Sequence, residues 1–548
     1  MIAGLYTVFC SLAFLLPIQS APVPVSDEPT CPPYGYHSRQ RHEGNRSTGL
    51  HELPYQRPAV DCRKFVSREV EESILRLKGK IQDPDLFRLF ENAYPNTLDT
   101  AILWTGFAYE KGSETKYTDE DLAFVITGDI TAMWLRDSAN QVLSYLPLLK
   151  ASSKPKTLAA LFRGVINLHS RYIKITPYCH AFQPPPESGV PLQTNGAYYR
   201  NRVNPSYDQT KTFDCKWELD SLASFLQLSW DYYNRTGDIG PFSKYEWVET
   251  VEVILKSAED MRAATYTPSG HIGKSGYTMT GQTDRATETT SNNGLGNPVK
   301  WTGMIRSTFR PSDDASIHQF LIPSNMMFAR TLETASMIME KLDTKRARNL
   351  VVEMRTMASE IRDGITKYAI ISHPLFGAMY AFEVDGYGSQ NLMDDANLPS
   401  LLSIPMMDYA TSNRSTPGRE EVYLNTRLFA LSEENPYWMH GPVMSAIGGP
   451  HIGPTKAWPL ASIVRVLTSE DEGEIRTELQ GLVGSTDGLG LIHESVSVHV
   501  ASDWSREWFG WANGMFGQMI LDIDKRFPHL LSEGYQQTPG LLNQASSP

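Results

Sequence analysis

The sequence predicts an all-α-dominated protein, an (α/α)6 barrel with small β-hairpin insertions. Apolar residues recur at three-and-four spacing over most of the chain, as in the stripe Leu219, Leu222, Leu226, Trp230 and Tyr233, which is the spacing of one buried helix face. About a dozen helical stretches arise this way, and they come in consecutive pairs: residues 222–233 precede 247–261 across Thr236-Gly237, and 326–342 precede 346–368. No fixed-period repeat runs through the chain, which disfavours a solenoid against six hairpins closed into a double ring.

Taken in order, the chain begins with an apolar run from Leu5 to Ile18, followed by the small residues Ser20 and Ala21. The run is short for a bilayer span and Pro17 interrupts it, so a cleaved secretory signal over residues 1–20 is expected rather than an anchor. No later segment is long and apolar enough to cross a membrane, and no membrane partner is expected. Residues 21–58 are rich in Pro, Arg and His without periodicity and read as an extended lead-in. The helical domain is expected over residues 59–530, with a tail over 531–548. At 548 residues the chain is long for one ordinary domain, and a 41% hydrophobic content gives it a large core to bury. The net charge of −12, with scattered basic residues, argues against nucleic acid as a partner.

After the signal, with Cys10, four cysteines remain: Cys31, Cys62, Cys179 and Cys215. In a secreted chain they read as disulfides rather than thiol nucleophiles. Three connectivities are open, and Cys31–Cys62 with Cys179–Cys215 is the expectation. The sequons at Asn45, Asn234 and Asn413 fit the same secretory route, to the extracellular space or cell wall.

Two β-like islands interrupt the helices, residues 101–104 with 122–127, and residues 379–384 leading into Asp385-Gly386, a hairpin turn signal. The Gly-, Thr-, Ser- and Asn-rich stretch 270–298 reads as a long surface excursion near the mouth of a site.

The chemistry lies in carboxylates. Thr127-Gly128-Asp129-Ile130-Thr131-Ala132-Met133-Trp134-Leu135-Arg136-Asp137-Ser138 packs Asp, Trp, Arg and Asp together just before a helical pattern. Arg and carboxylate side chains bond fixed pairs of sugar hydroxyls and an indole covers the apolar face of the ring. A strand end, a cap at Asp137 or Ser138 and a core Trp would explain the same residues. Arg310-Pro311-Ser312-Asp313-Asp314-Ala315 presents two adjacent carboxyls that raise each other's proton affinity if they converge, as a general acid requires. From pattern alone the weightier reading there is a helix N-terminus capped by Ser312. His493-Glu494-Ser495, after the turn-rich 484–490, can aim a base into a cavity. Met393-Asp394-Asp395-Ala396-Asn397 and Lys216-Trp217-Glu218-Leu219-Asp220 look like helix starts with ordinary acidic dipole partners. His493 and His499 are six residues apart and cannot share a helix face as zinc ligands; no metal site and no cofactor is expected. Acidic clusters at successive helix starts, gathered on one rim of a helical ring, make a carboxylate-lined pit suited to glycoside chemistry.

These segments resemble glycoside hydrolase family 125, the exo-acting α-1,6-mannosidases, over about Cys62 to Arg526. The resemblance rests on the stretches above together with Glu218-Leu219-Asp220-Ser221, Phe309-Arg310-Pro311, Leu321-Ile322-Pro323-Ser324-Asn325-Met326, Asn397-Leu398-Pro399-Ser400-Leu401-Leu402 and Trp508-Phe509-Gly510-Trp511-Ala512-Asn513. It implies an (α/α)6 fold, a metal-independent inverting mechanism, Asp313 as general acid and Glu494 as general base, with Asp220 as the rival acid. It further implies that Arg136, Asp137, Asp220, Asn397 and His451 contact a terminal mannose of an α-mannoside oligosaccharide or mannoprotein glycan. An inverting pair leaves room for a water, so a carboxyl separation of about 6.5–9.5 Å is expected. Where bacterial members carry Trp-Ser-Gly-Phe, this chain has Arg306-Ser307-Thr308-Phe309, a change expected to alter what lies beyond the first sugar. The competing expectations are a calcium-dependent α-1,2-mannosidase on a related helical barrel and a non-catalytic mannan-binding protein. The exact glycan and the oligomeric state are left open.

Overall fold

In a computed structural model, residues 31–42, 44–409 and 419–536 are described. The expected signal peptide, Cys10, the Asn413 sequon and the end of the tail lie outside these residues. Helices dominate. In chain order the longer ones are α1 (Arg68–Lys78), α2 (Pro84–Ala93), α3 (Leu135–Leu143), α4 (Leu158–Ile175), α5 (Leu219–Thr236), α6 (Trp247–Asp260), α7 (Ile322–Lys341), α8 (Lys345–Tyr368), α9 (Arg419–Ala430), α10 (Pro459–Leu467), α11 (Glu472–Gly484) and α12 (Gly510–Arg526). The expected pairs 222–233 with 247–261 and 326–342 with 346–368 correspond to α5 with α6 and α7 with α8. α8 packs on α7 as a hairpin partner, whereas α6 packs mainly on α4.

The central helices touch in sequence around the molecule. α3 packs on α5, α5 on α7, and α7 on the short 3-10 turn Ile404–Met407; α10 packs on α12, and α12 returns to α3. Their inward faces are fully buried, for example Leu222, Leu226, Phe328, Leu332, Ile463 and Phe516. This apolar interior is what fixes helices whose own propensity is modest. α2, α4, α8 and α11 cover them from outside.

Capping divides the helices. Ser67, Asp83, Thr157, Thr344 and Asp471 accept backbone N–H bonds at the starts of α1, α2, α4, α8 and α11. The central α3, α5, α7, α10 and α12 begin with no side-chain cap. Pro323 and Pro459 sit in the first turns of α7 and α10, where a missing N–H costs nothing. α5 ends on Gly237 at φ +69, a left-handed position that glycine takes without a Cβ clash.

Short antiparallel strands aim the central helices. β1 (Ile102–Tyr109) and β2 (Tyr117–Val125) form the first expected hairpin. α4 lies against β2 so closely that a Cβ on Gly164 would come within 2.8 Å of the Ala123 backbone. β3 (Met133–Trp134) runs straight into α3 and pairs with β4 (Ala181–Phe182), which pairs in turn with β5 (Thr212–Asp214). β6 (Phe320–Leu321) runs into α7 and pairs with β7 (Glu383–Val384), itself paired with β8 (Gln390–Asn391) around the Asp385-Gly386 turn. The stretch 270–298 contributes the strand Thr278–Gly281, which pairs with Asn201–Asn204.

Both disulfides form in the expected pairing, Cys31–Cys62 and Cys179–Cys215. The lead-in is held down: Asp85 accepts from His51 N–H at 2.9 Å, and Asn92 bonds Gln56 N–H and the Pro54 carbonyl. At the other end, Tyr535 is buried and donates its N–H to Asp83. No helix among the described residues is long and apolar enough to cross a membrane.

Candidate active site

The starts of α3, α10 and α12, with the loops around them, surround one cavity, lined by Thr127, Ile130, Trp134, Arg136, Asp137, Pro311, Ser312, Asp313, Asn397, His451, Trp458, Glu494, Arg506, Phe509 and Trp511. A roomier cavity of about 480 Å³ opens farther along the same helices, its walls mixing Leu and Met with polar side chains and only Asp231, Arg330 and Asp408 as charged ones. Convergent charge, rather than space, marks the first cavity as the site.

Arg136 stands in the first turn of α3, buried at 3% exposure. Its Nη1 donates to Glu218 at 2.6 Å and to Asp220 at 3.0 Å, while Nη2 lies 3.5 Å from Asp137 and 3.9 Å from Asp313. The guanidinium thus serves four carboxylates at once. Asp220 does not line the cavity: it is fully buried beneath Arg136, with Ser324 at 3.3 Å. Glu218 ends the loop before α5, and burial pushes its carboxyl up to about 8, against the pull of Arg136 and His180.

The Arg310–Asp314 segment departs from the helix start expected from its pattern. It is a tight turn, with Asp313 N–H donating to the Arg310 carbonyl and Arg310 N–H to that of Asp314, and α7 begins only at Ile322. Arg310 is the anchor: its Nε donates to buried Glu383 at 2.6 Å, and Glu383 also accepts from Ile317 and His318 N–H and from Asn391. Asp313 sits at the apex with φ +69, a left-handed conformation that costs a non-glycine residue about 1–3 kcal/mol. Lys216 Nζ holds its carbonyl at 2.9 Å. Burial alone would favour the neutral acid, but Lys216, His180 and Arg136 outweigh it and hold the Asp313 carboxyl well below the usual carboxylate range. Ser312 Oγ lies 3.0 Å from both Asp314 and Asp395. Asp395 takes the Asn397 N–H, and His451 Nδ1 lies 3.6 Å from Asp314. The loop Met393–Asn397 is therefore no helix start either; Asp394 accepts the N–H groups of Leu401 and Leu402 instead.

Glu494 lines the same cavity from the loop before α12. Ser505 donates to its Oε2 at 2.7 Å and Arg506 Nε lies 3.2 Å from Oε1; Arg506 also grips Asp129 at 2.7 Å. Asn513 on α12 bonds both backbone groups of Ile492, which fixes the loop that carries Glu494. His493 points away, stacked on Trp504 with its Nδ1–H donated to the Arg506 carbonyl.

Asp313 and Glu494 therefore meet at one cavity, together with Arg136, Asp137, Asn397 and His451; Asp220 and Arg306 do not. Arg306 is 2% exposed and bonds the Met261 carbonyl and Ser275, so this cation is not on the cavity wall. Pattern reading missed His180, Lys216, Glu218 and Arg506. Glu218 and Lys216 looked like routine helix-start charges, and His180 lies on no periodic face; only the pairing of β4 with β5 brings it in.

Among the described residues, the ligand atoms of His180, Glu218 and Asp313 lie within 4.8 Å of one another, a donor set that suits a transition metal. Arg136 on Glu218 and Asp313, and Lys216 on Asp313, already neutralise those acids, and a divalent ion there would face both cations. Several buried polar atoms at this end of the cavity have no hydrogen-bond partner among the described residues: Arg136 Nε, Asp137 Oδ2, His180 Nε2, Glu218 Oε1 and Asp313 Oδ1. Such a cluster fits a polyhydroxylated ligand.

Residues 83–521 match the family described as metal-independent alpha-mannosidase (GH125). The chain is 44% identical over 506 residues to the Meiotically up-regulated gene 157 protein of Schizosaccharomyces pombe, covering 92% of this chain and 94% of that one. Among solved structures it resembles a Streptococcus pneumoniae metal-independent α-mannosidase in a non-productive complex with α-1,6-mannobiose, with a TM-score of 0.71 and 30% identity, over 86% of this chain and 99% of that one.

Proposed function

From the premise that this chain belongs to glycoside hydrolase family 125, the metal-independent inverting α-mannosidases, we propose that it is a secreted exo-enzyme removing terminal α-1,6-linked mannose from mannan or N-glycan chains. Asp313 is the general acid and Glu494 the general base. The observation that carries this assignment is that these two carboxylates, far apart in the chain, line the same cavity from different loops. Arg136, Asp137, Asn397 and His451 hold the terminal sugar, and Asp220 acts on it through Arg136. The central helices close as an (α/α)6 barrel, with Ile404–Met407 filling the sixth inner position. The catalytic domain covers residues 59–530, preceded by the signal and the lead-in.

In the reaction the proton of Asp313 passes to the glycosidic oxygen as the C1–O bond breaks. A water attacks C1 from the opposite face and gives its proton to Glu494, leaving β-mannose. The flanking carboxylates stabilise the oxocarbenium-like transition state. General-acid work needs a neutral Asp313, whereas the free site holds it ionised. The proton therefore loads as substrate enters, when a neutral pyranose displaces water and disfavours the charge.

The test is mannose release from α-1,6-mannobiose, beside the α-1,2 and α-1,3 isomers, by wild type, Asp313→Asn and Glu494→Gln. Wild type releases mannose from the 1,6 isomer, and each variant loses about 10²–10⁴-fold in kcat. Unchanged turnover in either variant removes that residue from its role. Binding without release by wild type indicates a lectin-like protein. Membership of a metal-independent family sets aside the calcium-dependent alternative, and activity is expected to survive chelation.

A further inference from the structure

His180 is 1% exposed and sits beside the acid rather than among the cavity-lining residues. Its two nitrogens have unequal surroundings. Nδ1 receives the backbone N–H of Lys216 at 3.1 Å. Nε2 faces three carboxylates, with Asp313 Oδ1 at 3.4 Å, Asp214 at 3.8 Å and Glu218 at 3.9 Å. A donor aimed at Nδ1 demands a lone pair there, so the ring's hydrogen belongs on Nε2. Burial disfavours a charged ring, but Glu218, Asp313 and Asp214 outweigh it and raise His180 above its usual value; a second proton on Nδ1 would nevertheless meet the Lys216 N–H head-on, so the geometry favours the Nε2–H tautomer. The clamp is covalent in part. Cys179–Cys215 joins the residue before His180 to the residue before Lys216, and Ala181 pairs with Asp214 beside it.

The Asp313 side chain is 29% exposed, yet its Oδ1 is buried and, like His180 Nε2 3.4 Å away, has no hydrogen-bond partner among the described residues. The oxygen open to the cavity is therefore Oδ2. We propose that His180 is a positioning residue for the acid: locked as an Nε2–H donor by the Lys216 backbone and poised 3.4 Å from Asp313 Oδ1, it donates to that oxygen when the site closes on substrate and so confines the acid's proton to Oδ2, facing the glycosidic oxygen. This rests on the assignment of Asp313 as the acid. The arrangement is the logic by which a second group orients a catalytic side chain without touching substrate.

The experiment compares wild type, His180→Phe, His180→Gln and Asp313→Asn on α-1,6-mannobiose and on 2,4-dinitrophenyl α-mannoside, whose leaving group needs no proton. With His180→Phe, kcat on mannobiose falls about 100-fold while kcat on the dinitrophenyl substrate stays within about threefold. His180→Gln returns an N–H donor and recovers at least about tenfold of the loss. Removing a donor to the ionised carboxylate also moves the basic limb of the His180→Phe profile to higher pH. Equal losses on both substrates, or no loss on mannobiose, overturn the proposal, with circular dichroism confirming that each variant is folded. If Asp313→Asn itself loses nothing on mannobiose, it is the assignment of the acid that fails; if Asp313→Asn is inactive and His180→Phe is not, only the role of His180 fails.

Discussion

Asp313 combines a strained backbone with a charged side chain, and both bear on what its replacement should do. At φ +69 it is held by Lys216 and by the Arg310 turn, so the carboxyl is presented rather than free to rotate away. Asp313→Asn should lose activity steeply on mannobiose and little on a dinitrophenyl mannoside. Glu494→Gln should lose equally on both, because activation of water does not depend on the leaving group; steady-state kinetics on the two substrates checks this. The pH profile follows from the same charges. The free enzyme's Asp313 lies below the usual carboxylate range, so kcat/KM falls as pH rises through that depressed value. In the complex the carboxyl is desolvated, its pKa rises, and the basic limb of kcat lies at higher pH than that of kcat/KM. Coincident limbs would show that substrate does not load the proton. At this scale the sequence was only partly legible. The cavity-lining acids stand in motifs that can be read one by one. Lys216, His180 and Arg506 set the electrostatics and become meaningful only once β4 meets β5 and Arg506 meets Glu494.

Secondary elements convert scattered motifs into one site through their starts. α3, α10 and α12 begin uncapped at the cavity, and the positive ends of their dipoles favour the negative charge gathered there. Helix pairs were readable from apolar spacing because each buries one face. The Arg310–Asp314 turn was not: a Ser-Asp-Asp run has the composition of a helix cap, and what makes it a turn is the ion pair from Arg310 to Glu383 on a distant strand. The contact of α3 with α4 carries its own test. His169 on α4 is fully buried against Ser138 on α3 at 2.8 Å, and burial pushes its pKa down to about 3. Between about pH 6.5 and 3 the unfolded chain takes up a proton that the folded chain refuses, so stability falls as pH falls through that window. Lowering pH from 7 to 5 should cost wild type about 2 kcal/mol more than it costs His169→Gln, read as denaturant midpoints. Parallel pH dependence in the two proteins would mean that His169 is protonated in the fold.

At the scale of the whole molecule, the proposed (α/α)6 closure makes the cavity a pit entered from one side, with Trp134, Trp458 and Trp511 in its walls. A pit admits a chain end and not a chain middle. A linear α-1,6-mannan should therefore yield mannose as its first product, with no shorter oligosaccharides, and a chain blocked at its non-reducing end should resist attack; chromatography of early digests checks both. Helical dominance was legible from periodicity, because a helix that buries one face repeats its apolar residues at three-and-four spacing. The 3-10 turn Ile404–Met407 that packs on α7 was not, because four residues leave no periodic trace. The central claim is that two carboxylates work on opposite faces of one mannose with a water between them. Proton NMR of the sugar freshly released from α-1,6-mannobiose tests it most directly: the account predicts that β-mannose appears first and then mutarotates, and α-mannose as the initial product would contradict it.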